Sequence, residues 1–370
     1  MASSTSRRVR LLAGTVFLVL PLIVAAILGE LAVRWREGRR TTPPGTMPTI
    51  FYLHERLRPA LIHNRDYFGW VHTDSLGMRG HPVAVAKTPG RIRILADGGS
   101  TTFDATVTAD DSTWPAQLER LFVTRRGAGS VEVINAGVPG YAVIDNLIRL
   151  QSELYRLKPD VIILLQGHND LNYALIDTPP GDPDAPRERP PMTPWALWLA
   201  RHSLLYGKLK AAWRSRAATW ASGTHGSTGR DPARADSAIA RAVERFRRDL
   251  TSYVLIAKQG GARVVLLEPV TVSGALASPR DSVERAVWEN AFAGVPADVV
   301  FQGYSGYRRV LREVAAEQGA VLIPTGTWGI EGAVFYDHGD PIHLVDEGAR
   351  RLAEHLADAL DSLGLLQSHR

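Results

Sequence analysis

Five short apolar runs punctuate the chain from residue 92 onward, and longer stretches of mixed polarity separate them. The runs are Ile92–Ala96, Val131–Ile134, Val161–Leu165, Val264–Leu267 and Val321–Ile323. Most of their residues are valine, isoleucine or leucine, with little alternation between apolar and polar positions. Such runs are typical of strands that are buried on both faces of a parallel sheet. The pattern therefore predicts a five-stranded parallel sheet.

The stretches between the runs carry apolar residues at helical spacing. One helical face after the first run holds Trp114, Leu118, Leu121 and Phe122, and the segment Asp236–Gln259 repeats such a face over several turns. Strands that alternate with amphipathic helices form a doubly wound sheet with helices on both faces. We therefore expect an α/β fold with three layers, α/β/α.

The interval between the third and fourth runs is too long for one crossover helix, which predicts an insertion at about residues 172–235. Its first part, Asp177–Pro194, is dense in proline. Its second part places Trp195, Trp198, Trp213 and Trp220 near Arg201, Lys208, Lys210, Arg214 and Arg216. This composition fits an ordinary packed insertion, a cap over a site, or a face that rests on lipid headgroups.

Near the N-terminus, Leu11–Leu28 comprises 18 consecutive residues without a charge. At about 1.5 Å per residue, a helix of this length nearly crosses a hydrocarbon core of roughly 30 Å. The apolar character continues through Leu31–Val33, further than is usual for a cleaved signal peptide. We predict an uncleaved membrane anchor, with a cleaved signal peptide and a buried soluble helix as alternatives. Arginines flank both ends, so the positive-inside rule does not choose an orientation.

The net charge of +5 has a local origin. Residues 1–40 contain seven arginines and two glutamates, and the other residues carry 36 basic and 36 acidic side chains. A nucleic-acid-binding domain needs its basic excess on the folded domain, so this distribution argues against a nucleic-acid partner. The chain contains no cysteine, which excludes disulfides, thiolate metal sites and a cysteine nucleophile.

These patterns divide the chain into three parts. Residues 1–40 form the predicted membrane anchor with its basic flanks. Residues 41–90 are rich in proline, glycine, histidine and arginine and are predicted to be a linker and a peripheral lead-in. Residues 91–370 form the predicted globular domain, which includes the insertion.

The segments that leave the predicted strands carry the candidate chemistry. The first strand runs into Gly98-Gly99-Ser100, the second into "NAGVPGY" with Gly137 and Gly140, and the third into "GHND" with Asn169. Near the C-terminus stands "DHGDPIHL". Open α/β sheets bind ligands at the carboxyl ends of their strands, so we expect these four segments to meet there.

Acyl transfer needs a nucleophilic hydroxyl, a base, a carboxylate that orients the base, and donors for the developing oxyanion. Ser100 can supply the hydroxyl, His343 the base and Asp340 the carboxylate, and a glycine at position 140 lets a backbone N–H approach the substrate. Taken singly, each has an ordinary alternative as a turn, cap or surface residue. Asp337 and His338 with Asp340 and His343 also allow a metal cluster, although no helical His-x-x-x-His spacing accompanies them. The acyl-transfer chemistry needs no cofactor or metal ion.

These blocks resemble those of the SGNH/GDSL hydrolase family. Ser100 matches the first block, Gly140 the second, Asn169 the third, and Asp340-Pro-Ile-His343 the Asp-x-x-His block, all in the family's order over about residues 92–360. The resemblance implies a flavodoxin-like sheet and a triad of Ser100, His343 and Asp340. It also implies an oxyanion hole from the backbone N–H groups of Ser100 and Gly140 and the amide of Asn169.

One departure from the family is visible, because Gly99 stands where the usual Gly-Asp-Ser has its aspartate. That aspartate is outside the triad, so the change affects loop rigidity and substrate preference more than the nucleophile. A Gly-Gly-Ser-Thr version and a segment like "DSLGMRG" at Asp74–Gly80 are familiar in membrane-anchored members. His168 and Asp170 flank Asn169, and the sequence assigns them no role.

Three functions are compatible with this resemblance. The first is a serine esterase that cleaves an O-acyl ester, with acylated carbohydrates and lipids among the substrates. The second is an O-acyltransferase that passes the acyl group to a carbohydrate hydroxyl, and the third is an inactive binding protein of the same fold. The complete triad argues against the third. We expect an esterase, held at the membrane with its catalytic domain outside the cytoplasm.

Overall fold

The chain was analysed as a computed structural model. It describes residues 20–21, 23–36, 51–52, 60–67, 70–175, 199, 203, 205–206, 209, 232–275, 278–326 and 328–366. These residues contain two small antiparallel strand pairs, a five-stranded parallel sheet and the helices that cover it. Residues 20–21 and 23–36 are also helical.

The strands fall into two groups. The small pairs are β1 (Phe51–Tyr52) with β2 (Ala60–Leu61), and β3 (Arg65–Tyr67) with β4 (Val71–Thr73). The parallel strands are β5 (Ile92–Gly98), β6 (Val131–Asn135), β7 (Val161–Leu165), β8 (Arg263–Leu267) and β9 (Val321–Ile323). All five predicted strands are confirmed, each within a few residues of its predicted bounds.

Eight helices accompany these strands in the described part of the chain from residue 100 onward. They are α1 (Ser100–Phe103), α2 (Trp114–Arg126), α3 (Val143–Ser152), α4 (His168–Leu175), α5 (Pro232–Gln259), α6 (Ser282–Ala291), α7 (Ala297–Gln318) and α8 (Asp346–Ser362). The predicted helical faces are buried. Trp114, Leu118 and Phe122 of α2 and Phe246 and Leu250 of α5 all belong to the hydrophobic core.

The parallel strands are ordered β6-β5-β7-β8-β9 across the sheet. Numbered along the chain from β5, this is the order 2-1-3-4-5 of flavodoxin-like sheets. The direction in which the chain moves across the sheet reverses after β6, so right-handed crossovers place α2 on one face and α3, α5 and α7 on the other. The helix contacts agree, because α2 packs on α8, whereas α3 and α7 pack on α5.

The described second half of the predicted lead-in packs into the domain. Arg79 pairs with Asn135 at the end of β6, and Val71 and Met78 are buried. The guanidinium of Arg79 is buried; it bonds Asp110 Oδ1 at 2.7 Å and donates to the carbonyl oxygens of Phe103 and Asp104 at 2.8 and 2.7 Å. Long-range polar contacts of Arg79 therefore join this segment to the end of α1 and the chain that follows it.

Several predicted features lie outside the described residues. They include most of Leu11–Leu28, the proline-dense Asp177–Pro194, and the tryptophans and basic side chains of the insertion. In the parts of the chain that the structure describes, no helix combines the length and the apolar character needed to cross a bilayer.

The buried Arg79 generates a stability prediction. Arg79→Met removes the guanidinium and leaves Asp110 and two buried carbonyl oxygens without this partner, so the free energy of unfolding should fall by about 3–5 kcal/mol. Urea unfolding of the full chain measures the change. Arg351→Met is the matched control, because Arg351 is exposed on α8, and it should change the value by no more than about 0.5 kcal/mol. A similarly small loss in Arg79→Met would contradict this account of the segment.

Candidate active site

Two of the sequence-predicted site residues, Ser100 and Asn169, lie just beyond the carboxyl ends of neighbouring central strands. Ser100 follows β5 directly and begins α1, while His168 and Asn169 follow β7 and begin α4. In the order 2-1-3-4-5 the topological switch point lies between β5 and β7, which are neighbours in the sheet. The nucleophile candidate and Asn169 therefore stand on the two sides of the crevice where open α/β sheets bind ligands.

The loop that precedes α8 brings the last block to this crevice. Thr106 Oγ1 donates to the carbonyl oxygen of Leu344 at 2.7 Å, and the backbone N–H of Thr108 donates to Asp346 Oδ1 at 2.8 Å. Both threonines follow α1, the helix that begins with Ser100. These bonds fix the loop with His343 against the segment that carries the serine.

Ser100, His343 and Asp340 form one hydrogen-bonded chain. The distance from Ser100 Oγ to His343 Nε2 is 2.7 Å, and His343 Nδ1 lies 2.6 Å from Asp340 Oδ2. Ser100 is 7% exposed, so its hydroxyl has little water to compete with this bond. A hydroxyl, an imidazole and a carboxylate in this order are the parts of a nucleophile, a general base and its orienting group.

Asp340 is held by its own loop. Its Oδ1 accepts the backbone N–H groups of Ile342 and His343 at 2.8 and 2.9 Å. Burial alone would raise the pKa of Asp340, but the bond from the His343 ring and these backbone bonds outweigh it, so the pKa lies below its ordinary value. The carboxylate is therefore ionised at neutral pH and fixes the orientation of the His343 ring.

The two glycines before Ser100 allow a close approach of chain segments. A Cβ on Gly98 would collide with the Thr102 side chain and the carbonyl oxygen of Leu165, which ends β7. A Cβ on Gly99 would lie 2.8 Å from Asn169 Nδ2. A side chain at position 99 would therefore require the Asn169 amide to shift.

The other predicted oxyanion residues are tied to one turn. Gly140 has φ +82°, and its carbonyl oxygen accepts a bond from Tyr173 Oη at 2.7 Å. Asn169 Nδ2 donates to the carbonyl oxygen of the next residue, Tyr141, at 2.9 Å. Asn169 and Ser100 line the same cleft. The structure therefore links the Gly140 turn to the Asn169 amide and brings that amide to the serine.

A buried polar network supports this arrangement, and sequence reasoning missed it. Asp97 Oδ1 accepts from Asn146 Nδ2 at 2.7 Å, and Asp97 Oδ2 accepts from Tyr253 Oη at 2.7 Å. Gln166 Nε2 donates to Asn146 Oδ1 at 2.5 Å and to the Tyr141 carbonyl at 2.8 Å. The network thus runs from α5 through the end of β5 to the carbonyl that also holds Asn169. The sequence signals that could have indicated this network are Asp97 and Gln166, two polar residues at the ends of apolar strands.

Burial changes the pKa of Asp97, which has no exposed surface. Desolvation raises its pKa to about 6, although the Tyr253 hydroxyl, the charge of Arg149 and the Asn146 amide act in the opposite direction. Ionising this carboxyl therefore costs stability.

The two residues that flank Asn169 have different surroundings. Asp170 Oδ1 accepts the backbone N–H of Val143, the first residue of α3, at 3.1 Å, and burial raises the Asp170 pKa to about 7. His168 lines the cleft and makes a short hydrogen bond through Nδ1 to the Tyr304 hydroxyl. Asp170 therefore connects α4 to α3, whereas His168 faces the site.

The geometry does not favour the metal alternative at Asp337, His338, Asp340 and His343. Both ring nitrogens of His343 are engaged, one by Asp340 and the other by Ser100. Among the described residues, no group of three or more His, Asp or Glu side chains is arranged to hold a metal ion.

Comparison with known protein families supports the resemblance found in the sequence blocks around Ser100, Gly140, Asn169 and His343. The profile of the GDSL-like lipase/acylhydrolase family matches residues 96–351, which include all the predicted site residues. The chain belongs to this family. As a GDSL-like acylhydrolase, it is an ester-cleaving hydrolase, which confirms the family and the enzyme class predicted from the sequence.

Solved structures of the same class are similar to the chain. TesA matches with 18% identity and a TM-score of 0.44 over 73% of this chain and 99% of its own. The acetyl xylan esterase AlAXEase matches with 15% identity and a TM-score of 0.42 over 73% and 100%. A lipase/acylhydrolase from Enterococcus faecalis matches with 17% identity and a TM-score of 0.43 over 74% and 96%. No match was found among curated proteins.

The raised pKa of Asp97 predicts a pH effect on stability. The folded carboxyl titrates near pH 6 and the unfolded one near pH 4, so the folded state holds its proton longer and the free energy of unfolding falls as pH rises between these values. The asparagine of the Asp97→Asn variant cannot ionise. The variant should therefore lose the contribution of Asp97 to the pH dependence of the free energy of unfolding, which is at most about 3 kcal/mol. Urea unfolding at pH 4 and pH 7 measures it.

Asp111→Asn is the matched control, because Asp111 is largely exposed, and it should keep the wild-type pH dependence. An Asp97→Asn variant whose stability varies with pH as the wild type does would show that Asp97 ionises freely in the fold.

Proposed function

We propose that this GDSL-like hydrolase is a serine esterase of SGNH type that cleaves an O-acyl ester through an acyl-enzyme intermediate. The hydrogen-bonded chain from Ser100 Oγ through His343 to Asp340 is the observation that supports it. The two pairs in this hydrogen-bonded series, Ser100 with His343 and His343 with Asp340, are both at hydrogen-bond distance, as proton transfer requires.

The first half of the reaction acylates the serine. His343 Nε2 takes the proton of Ser100 Oγ as the oxygen attacks the ester carbonyl carbon, and the carbonyl π electrons move onto the oxygen. The backbone N–H groups of Ser100 and Gly140 and the Asn169 amide donate to this oxyanion. When the C–O bond to the alcohol breaks, the leaving oxygen takes the proton from His343 Nε2. Asp340 stabilises the transient imidazolium and keeps the ring oriented.

The second half returns the enzyme to its starting state. Water gives a proton to His343 Nε2 while its oxygen attacks the acyl carbon, and the Ser100 oxygen leaves with that proton. A carbohydrate hydroxyl in place of this water would make the enzyme an O-acyltransferase with the same intermediate. An acylated glycan or lipid is the substrate class proposed here.

Labelling of the nucleophile tests the proposal. A fluorophosphonate probe should label wild type at Ser100, and Ser100→Ala should lose both labelling and hydrolysis of p-nitrophenyl acetate, because the variant lacks the hydroxyl that bonds His343. Peptide mass mapping locates the label, and assays with and without acceptor sugars separate hydrolysis from transfer. Ser362→Ala, an exposed serine at the end of α8, is the control and should keep both activities. Full activity in a folded Ser100→Ala would refute the role of the serine.

We also propose that Leu11–Leu28 anchors the enzyme and that its catalytic domain lies outside the cytoplasm. The uncharged run supports the anchor, and the resemblance to membrane-anchored members supports the side. Attachment by apolar insertion should survive high salt, which screens a purely electrostatic contact within about 10 Å at 0.1 M. Membrane fractionation in high salt measures this. Protease should reach the domain in cells whose outer layer alone is permeabilised; protection until the inner membrane breaks would contradict the proposed side.

A further inference from the structure

Besides His343, which is bonded to Ser100, a second imidazole lies in the cleft that Ser100 lines. His168 lines that cleft together with Ser100, Asn169 and Tyr304. Its Nδ1 is bonded to the hydroxyl of Tyr304 on α7. The reaction proposed above uses Ser100, His343, Asp340 and the oxyanion donors and leaves this histidine without a task.

The hydrogen bond to Tyr304 determines which ring nitrogen of His168 carries a proton. Tyr304 is 2% exposed, and burial raises the pKa of its hydroxyl well above the ordinary value, so the hydroxyl keeps its proton. In the described part of the chain, His168 Nδ1 is the partner recorded for that hydroxyl. The Tyr304 hydroxyl therefore donates to Nδ1, and the proton of the neutral His168 ring sits on Nε2.

The surroundings keep this ring neutral and fixed. Burial, together with the nearby charge of His343, lowers the pKa of His168 to about 3, while the carboxylate of Asp340 acts weakly in the opposite direction. The buried ring of Phe292 meets the His168 ring edge to face, with centroids 5.3 Å apart. His168 is thus a rigid, uncharged donor at neutral pH, unlike a histidine that serves as a general base.

The position of His168 indicates the part of the substrate that it meets. In the proposed reaction, His343 delivers the proton to the departing alcohol oxygen. Ile342, next to His343 in the chain, lines the same cleft. His168 therefore shares the cleft with the segment that carries the proposed proton donor for the alcohol.

Resting on the esterase function above, we propose that His168 binds the alcohol part of the substrate. Its Nε2–H, set by the Tyr304 hydroxyl, donates to an oxygen beside the scissile ester. Such an oxygen is present when the ester is formed on one hydroxyl of a polyol or sugar with a neighbouring hydroxyl, and absent from a simple alkyl ester. The pair His168–Tyr304 thus selects esters of polyhydroxylated alcohols, with Tyr304 as the positioning residue.

Two esters of nearly equal shape test this selection. 2-Hydroxyethyl acetate and n-propyl acetate differ by a terminal hydroxyl in place of a methyl group. A neutral hydrogen bond to the extra oxygen should make wild-type kcat/KM about tenfold higher for the hydroxyethyl ester, mainly through KM. His168→Phe keeps a ring but has no donor, so the ratio of the two kcat/KM values should fall to about one.

The tyrosines of α7 provide a matched pair of variants. Tyr304→Phe removes the hydroxyl that sets the His168 tautomer and should lower the ratio, and His168→Gln, which restores an N–H donor, should recover part of it. Tyr307→Phe removes a buried hydroxyl without a hydrogen-bond partner in the described structure and should leave the ratio unchanged. A wild-type ratio near one, or a ratio retained in an active His168→Phe variant, would overturn the proposal. Loss of Ser100 labelling would instead overturn the esterase function.

If His168→Phe does not fold, a spectroscopic measurement on the full chain tests the proposed tautomer of His168 directly. In ¹⁵N-histidine-labelled protein at pH 7, the His168 signals, assigned by their absence from His168→Gln, should show a protonated Nε2 and an unprotonated Nδ1. Tyr304→Phe should shift them and Tyr307→Phe should not. A proton on Nδ1, or a charged ring, would overturn the proposal.

Discussion

The close approach of the chain ends of β5 and β7 is the constraint on which the site depends. Gly98 lies so near the Leu165 carbonyl and the Thr102 side chain that a Cβ there would collide with both. Ser100 follows two residues later and is thereby placed at the switch point of the sheet, beside the helix that begins with His168 and Asn169. The Thr106 and Thr108 bonds then fix the His343 loop against the same segment. Contacts between these chain segments therefore bring the residues of the proposed site together.

The buried polar network gives this arrangement rigidity at a cost in stability. Asp97 has no exposed surface, and its raised pKa shows that the fold disfavours its charge. Replacing such a group by an apolar one would leave Asn146 and Tyr253 without their partner, and buried polar groups without partners cost more than the bond contributes. The same network ends at the Tyr141 carbonyl that holds Asn169. The polar network and Asn169, the proposed oxyanion donor, are therefore joined through the Tyr141 carbonyl.

Much of this architecture follows from local sequence patterns. The five strands are detectable because each is a run of apolar residues, and the blocks with Ser100, Asn169 and His343 lie at strand ends or in a short motif. The Asp97 network has no such pattern, since Tyr253 is 156 positions away from Asp97 and each member looks like an ordinary polar residue. The lead-in was predicted to be peripheral for the same reason. Its packing includes the bonds of Arg79, whose partners Phe103, Asp104 and Asp110 are distant in sequence.

The role proposed for His168 illustrates how the surroundings of a histidine determine its chemistry. His343 and His168 are both imidazoles near Ser100, but one is bonded to a carboxylate and the other to a tyrosine hydroxyl in a buried, aromatic setting. A carboxylate stabilises the charged ring that a general base becomes, whereas burial beside neutral groups favours the uncharged ring. The same side chain can therefore serve as a base at one position and as a fixed donor at the other.

The central claim is that the ends of β5, β6 and β7 together form one oxyanion site around Ser100. A crystal structure of the full chain after reaction with diethyl p-nitrophenyl phosphate, in which Ser100 Oγ displaces p-nitrophenolate, tests it most directly, because the bound phosphoryl oxygen stands in for the oxyanion. The account predicts a bond from phosphorus to Ser100 Oγ. It also predicts that this oxygen lies within about 3.1 Å of the N–H groups of Ser100 and Gly140 and of Asn169 Nδ2. A phosphoryl oxygen directed away from Gly140 and Asn169, or an adduct on another residue, would contradict it.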